Sequence, residues 1–370
     1  MAPHNVAVLD DYQGVSEPHF AQLDDSKFSI TQFKDTLLPY NHPDTPQSVK
    51  DALVERLTPF DIICTMRERT PFPKDLIDLL PNLKLLLTTG IRNKGLDLPA
   101  FAARSVPVAG TTDKHRGKNE TFRGPGAVGT DSTTQHTVSL ILSLTRNIPQ
   151  DAANLTSGVG GALWQTELAT GLGGKTLGIV GLGRLGATTA RIMHLAFGMR
   201  VVAWSTNLTQ EAADAKAKEM GLPVDAPDGE KTFKVVSRAE LYSTADVVSI
   251  HVVLSDRSRG LVNAADLALM KPSSFLVNTS RGPLIVEEDL LATLRAGKIR
   301  GAALDVFDIE PLPRDSPWRS ADWGQGGRSR VVLTPHMGYV EEETLDEFYV
   351  QQVANLERWA RGEELAAVLT

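Results

Sequence analysis

A chain of 370 residues, 42% hydrophobic and 22% charged with 30 Gly and 21 Pro, has a globular composition and length for two domains, which excludes collagen, coiled coil and disorder. Its 38 basic against 45 acidic side chains leave a net charge of −7, an argument against nucleic acid and anionic membranes as partners, since both need clustered cations. The single cysteine, Cys64, rules out an intrachain disulfide and zinc held by cysteine clusters.

The opening residues carry no signal-like apolar run, and no stretch reaches the ~20 apolar residues of a bilayer span. A cytoplasmic protein without a metal site is expected. Taken in chain order, short apolar runs at 6–9, 62–64, 83–87 and 106–109 read as strands. Helical spacing at 48–57 and 73–80 separates them, the alternation of a parallel sheet. The stretch 133–144, apolar on nearly all sides, predicts a buried linking helix.

Strands then recur at 176–180, 200–204, 247–251, 275–278, 301–306 and 331–333. Helical segments between them place Gly198 and Gly297 at C-terminal caps. This second unit is doubly wound, and the chain closes on an amphipathic helix over 341–365 with no strand after it. The fold class expected is α/β, two Rossmann-like or flavodoxin-like domains with parallel sheets: a dinucleotide-binding domain over 133–337, and a discontinuous substrate domain from 1–132 plus 338–370. Three segments rich in glycine and charge, 112–130, 225–232 and 315–330, read as surface insertions.

GLGRLG, from Gly181 to Gly186, follows an apolar strand directly and opens a helix. In that context Gly181 permits the tight turn, Gly183 lets a pyrophosphate approach the backbone, and Gly186 lets helix and strand pack closely. The helix N-terminus then offers free N–H groups and positive potential to the phosphates. An NAD-selective site places an acid at the end of the second strand. Here Ser205, Thr206 and Asn207 follow that strand, with no acid before Glu211 and no Arg or Lys. Both NAD(H) and NADP(H) fit, with a slight lean to NADP(H).

Three polar groups then fall at or after successive strand ends, where doubly wound sheets bind ligands: Arg281 in NTSRG, Glu310 within 305–311, and His336 in TPHMG. They suit proton-coupled hydride transfer to a carbonyl. His336 serves as general acid and base, Glu310 fixes its tautomer, and Arg281 clamps a carboxylate in a bidentate contact. Asp305, just inside its strand, is placed to hold a nicotinamide carboxamide.

GLGRLG, NTSRG, the 305–311 stretch and TPHMG, in this order, resemble the D-isomer-specific 2-hydroxyacid dehydrogenase family, and the similarity runs from about Val6 to the last helix. The resemblance implies a catalytic set of Arg281, Glu310 and His336, an active site in the interdomain cleft and a homodimer. It implies cofactor contacts at Arg184, Leu185, Thr279, Arg281, Asp305 and the backbone around His336 and Gly338. On the substrate side, Thr89, Gly90 and Ile91 resemble a loop whose backbone N–H groups bind the substrate carboxylate, and 66–70, with Arg67 and Arg69, a segment adding a basic side chain.

The chain departs from the family at Arg92, where Asp is usual, at Thr134-Gln135-His136, where Ala-Glu usually opens the linking helix, and in the insertion carrying Lys114, His115, Arg116, Lys118 and Arg123. Arg92 adds a cation that suits a second acidic group on the substrate and equally suits a plain surface position. The expected function is NAD(P)-dependent interconversion of a small 2-oxo acid, such as glyoxylate or hydroxypyruvate, and a D-2-hydroxy acid. The alternatives are a nucleotide-sensing scaffold like the corepressors of this superfamily, or formate or phosphite oxidation on the same fold.

Overall fold

Among the residues described by the computed structural model, 2–112, 131–156, 164–165 and 167–370, twelve strands form two parallel sheets. The insertion lies, from 113 to 130, outside the described residues. The chain divides into two units. The first comprises Met1–Lys118, Ile309–Pro313 and Val340–Thr370, the second Asn119–Asp308 and Arg314–Tyr339. This division differs from the expected one at 131–132 and 338–339, which fall in the second unit, and at 309–313, which joins the first unit through contacts of its own, described below.

The first unit holds β1 (His4–Val8), β2 (Phe28–Gln32), β3 (Ile62–Thr65), β4 (Leu85–Thr88) and β5 (Val108–Ala109) in the order β2-β1-β3-β4-β5, the flavodoxin-like winding. β3 (IICT) and β4 (LLLT) are buried along their whole length, as strands covered on both faces must be. The last helix, Glu342–Ala360, buries Leu345, Phe348, Tyr349 and Leu356. The expectation of no strand beyond it needs correction: Val368 bridges Ala109 in antiparallel fashion, and Leu369 N–H donates to the Val108 carbonyl at 2.8 Å. The short edge strand β5 thereby gains a second neighbour.

The second unit holds β6 (Thr176–Val180), β7 (Arg200–Trp204), β8 (Phe233–Val235), β9 (Val247–Ile250), β10 (Phe275–Asn278), β11 (Gly301–Leu304) and β12 (Arg330–Leu333) in the order β12-β11-β10-β9-β6-β7-β8. The strand order reverses at β6, where the dinucleotide crevice of such sheets lies. The linking helix, Ser132–Thr145, puts Leu140, Ile141 and Leu144 into one core with Leu177, Val201, Val277 and Ala303. Asp131 caps it by accepting from Thr134 N–H at 3.0 Å.

The segment 315–330 is more than a surface insertion. Trp318 and Trp323 are buried within it, and the Trp323 indole donates to the Trp318 carbonyl at 3.0 Å.

Candidate active site

Every strand of the second unit's sheet is parallel, so the loops after β6, β10, β11 and β12 leave from one edge. The glycine loop after β6 is shaped by three different constraints. Gly181 has φ +99°, and a Cβ there would stand 2.9 Å from the His251 carbonyl. At Gly186 a Cβ would lie 2.2 Å from the Gly181 carbonyl oxygen, whereas at Gly183, the N-cap of helix Arg184–Phe197, it would meet nothing within 4 Å. Open space over free helix N–H groups fits a pyrophosphate, so Gly183 with Arg184 and Leu185 would hold a dinucleotide's phosphates. The Arg184 guanidinium is paired with the Asp131 carboxylate.

His251, next to that turn, was not singled out from the sequence. Its ring bonds the Ser249 hydroxyl at 2.8 Å, and burial pushes its pKa down to about 4, so it stays neutral.

Beyond β7, Ser205 is half-buried and Thr206 and Asn207 are exposed. The Arg238 guanidinium stands over the Trp204 ring at 5.4 Å, but both of its bonds to Asp266, at 2.8 and 2.6 Å, bind it within the protein.

After β10 the NTSRG turn is built by Asn278, buried, whose side chain donates to the Arg281 carbonyl at 2.9 Å and accepts from Ser280 N–H at 3.0 Å. Arg281 Nη1 donates to the Ser280 carbonyl at 2.7 Å. The Thr279 hydroxyl, expected at the cofactor, meets Thr137 Oγ1 of the linking helix at 2.8 Å. Gly282 approaches the chain after β11 so closely that a Cβ would fall 2.0 Å from Phe307 C and 2.5 Å from Asp308 N.

Asp305 corrects an expectation. Its side chain has no exposed surface, and it accepts from Thr334 Oγ1 at 2.6 Å, Met337 N–H at 2.7 Å and Gly338 N–H at 2.9 Å, with His136 Nε2 at 3.1 Å. Burial alone raises a carboxyl pKa, but the bonds from His136, Thr334 and Met337 outweigh it and hold this one below its ordinary value. The carboxylate thus turns inward to brace the loop after β12, with no exposed oxygen for a carboxamide. Gly338 is committed likewise, its carbonyl accepting from Ser132 Oγ at 2.9 Å.

His336 rides on this braced loop. Its N–H donates to the Asp305 carbonyl at 2.8 Å, its φ is +54°, a region His enters more readily than most side chains, and its ring meets Tyr339 edge-on at 5.7 Å.

In the first unit, Arg67, also at positive φ (+51°), donates its N–H to Thr89 Oγ1 at 2.9 Å, and its Nη1 lies 3.2 Å from where a Gly90 Cβ would stand. Arg67, Thr89 and Gly90 therefore come together. Two of the three expected carboxylate-binding N–H groups are committed, however: Thr89 N–H to the Thr65 carbonyl at 3.2 Å, and Gly90 N–H to Thr111 Oγ1 at 2.8 Å. Ile91 and Arg92 are exposed. Arg69 does not join this group; its Nη1 donates to Glu310 Oε2 at 2.9 Å. Glu310 therefore packs with the first unit, whereas Arg281 and His336 belong to the second. Among the described residues no group of three His, Cys, Asp or Glu side chains is arranged to hold a metal ion.

Residues 138–338 match the family profile "D-isomer specific 2-hydroxyacid dehydrogenase, NAD binding domain". The chain is 30% identical over 304 residues to glyoxylate reductase of Thermofilum pendens, covering 82% of this chain and 78% of that one. It is 31% identical over 296 residues to D-3-phosphoglycerate dehydrogenase of Methanocaldococcus jannaschii, covering 80% of this chain but only 48% of that one, so it spans about half that relative's length. Phosphoglycerate oxidoreductase of Vibrio cholerae O395 superposes with a TM-score of 0.75 at 31% identity, over 97% of this chain and 99% of that one. The chain belongs to the D-isomer-specific 2-hydroxyacid dehydrogenase family, and its second unit carries the family's NAD-binding domain.

Proposed function

We propose that the protein is an NAD(P)-dependent reductase that interconverts a small 2-oxo acid and a D-2-hydroxy acid. The observation that carries this reading is the placement of Arg281 and His336 on loops leaving the same sheet edge as the glycine loop. Arg281 pairs with the substrate carboxylate and polarises the neighbouring carbonyl oxygen. His336 gives that oxygen a proton in reduction and takes it back in oxidation, with Glu310 as the carboxylate partner of its ring. Bound nicotinamide supplies or accepts the hydride. Arg67, beside Gly90, adds positive charge for the substrate.

The test is a panel of 2-oxo acids, glyoxylate and hydroxypyruvate included, with NADH and with NADPH. Loss of nicotinamide absorbance with at least one acid is expected; no oxidation with any acid would remove the reading.

The end of β7 presents donors and no carboxylate, so NADPH is accepted beside NADH. Ser205→Asp restores the acid at that position and is expected to raise the KM for NADPH by about tenfold or more while lowering or preserving that for NADH. An equal change for both cofactors would place the 2′ group elsewhere.

The working form is a cytoplasmic homodimer. Helix Ile148–Thr156 buries none of its residues and exposes Ile148 and Leu155, with Trp164 and Leu168 exposed beyond it, an apolar surface that a second copy covers. Sedimentation at twice the 40.1 kDa chain mass is expected, and a monomer at working concentration would refute it.

A further inference from the structure

Arg69, which the resemblance puts on the substrate side, instead holds the Glu310 carboxylate, and its charge also acts on Asp10. Its side chain is 10% exposed and donates to Glu310. The next residue, Thr70, donates to Asp10, with its hydroxyl 3.1 and 3.2 Å from the two carboxylate oxygens. Asp10 follows β1 at φ +64° and is buried; Thr36 also donates to it, and Thr36 in turn accepts from Tyr12 Oη at 2.6 Å. The positive charges acting on Asp10 are Arg69 and, more weakly, Arg56, whose own guanidinium is tied to Asp35 at 2.8 Å. The adjacent Asp11 is engaged locally by the Ser16 hydroxyl at 2.6 Å.

We propose that Arg69 is a positioning residue, which holds the Glu310 carboxylate and tempers its charge, and that Asp10 competes for the same guanidinium when ionised. The inference rests on the reading of Glu310 as the partner of His336. A guanidinium on Glu310 weakens the negative potential that this carboxylate presents to a partner ring. Desolvation raises the Asp10 pKa to about 6 against the pull of Thr36, Thr70 and Arg69. Above that pH Asp10 is an anion that draws on Arg69; below it Asp10 is neutral and that pull on the guanidinium is gone.

The test needs no substrate: the His336 ring is followed by NMR against pH, its signals assigned by their loss in H336N. Arg69→Gln is expected to move the ring's titration upward by about half to one pH unit, Arg69→Lys by less than half as much, and Asp10→Asn downward. Asn adopts positive φ as readily as Asp, so D10N keeps the backbone and carries the test if R69Q fails to fold. Glu310→Gln, in parallel, should move the titration downward. If E310Q does so while R69Q and D10N leave it in place, the role of Arg69 is wrong and the pairing of Glu310 stands. If E310Q also leaves it in place, the pairing itself fails and the inference falls with it. In turnover, a tenfold rise in KM for R69Q with no change in kcat or its pH dependence would return Arg69 to the substrate and overturn the proposal.

Discussion

His336→Ala is expected to lower turnover of the 2-oxo acid by roughly 10²-fold or more while leaving nucleotide affinity within a few-fold, because in the proposed function the ring alone carries the proton. The loop itself should survive. It is held by bonds that do not involve the imidazole: Met337 and Gly338 N–H to the Asp305 carboxylate, and His336 N–H to the Asp305 carbonyl. Alanine at φ +54° adds some backbone strain, so His336→Asn, which tolerates that conformation, is the cleaner comparison. Both variants should bind NADH and fail in turnover. Retained turnover in H336N would dismiss the imidazole as the acid and base; lost NADH binding in both would make His336 structural.

The second large effect is on folding. Gly282→Ala forces a methyl group to within 2.2 Å of the Phe307 carbonyl oxygen and 2.5 Å of Asp308 N. Both obstacles are backbone, so the turn after β10 and the chain after β11 must separate, at a cost of about 3 kcal/mol or more. Denaturant unfolding of G282A should show that loss, or the variant should be insoluble. Gly183→Ala is the control from the same unit, since nothing lies within 4 Å of its would-be Cβ and its φ of −79° suits alanine. Its stability should stay within about 1 kcal/mol of the parent, while NADH affinity falls about tenfold or more as the methyl takes up the space left for pyrophosphate. Weak destabilisation by G282A, or undiminished NADH affinity in G183A, would contradict these assignments.

The fold was legible where burial is two-sided. IICT, LLLT, VVSI and FLVN are apolar because both faces of their strands are covered, and each is found as a strand. β2 and β8 are not legible because, unlike the edges β5 and β12 with their apolar runs, they carry few apolar residues in a row. FSITQ buries only its phenylalanine fully, and FKV has three residues. The tryptophans of 315–330 were hidden by the surrounding glycine and charge.

At the site, motif order put Arg281 and His336 just after β10 and β12, where the structure has them, since strand ends fix where a parallel sheet delivers side chains. The direction of each polar group was not legible. Asp305 reads as a ligand until its four partners are seen, Gly90 N–H as an anion donor until Thr111 takes it, and Arg69 as a substrate contact until Glu310 is found on it. These partners are distant in sequence, 241 positions for Arg69 and Glu310, and spacing along a chain carries no information about them. His136 could have been found: a histidine one turn into a buried helix needs a partner, and the acids at strand ends were the candidates.

In the proposed function this chain moves a hydride between nicotinamide and C2 of a small oxo acid with D stereochemistry. The most direct measurement follows the label: a responding acid other than glyoxylate, whose product has no D or L form, is reduced with cofactor deuterated at C4, on the transferred side, and the product is resolved by chiral chromatography and mass spectrometry. A D-2-hydroxy acid carrying one deuterium at C2 is expected. An L-2-hydroxy acid, or a product without deuterium from either C4 face, would contradict that function.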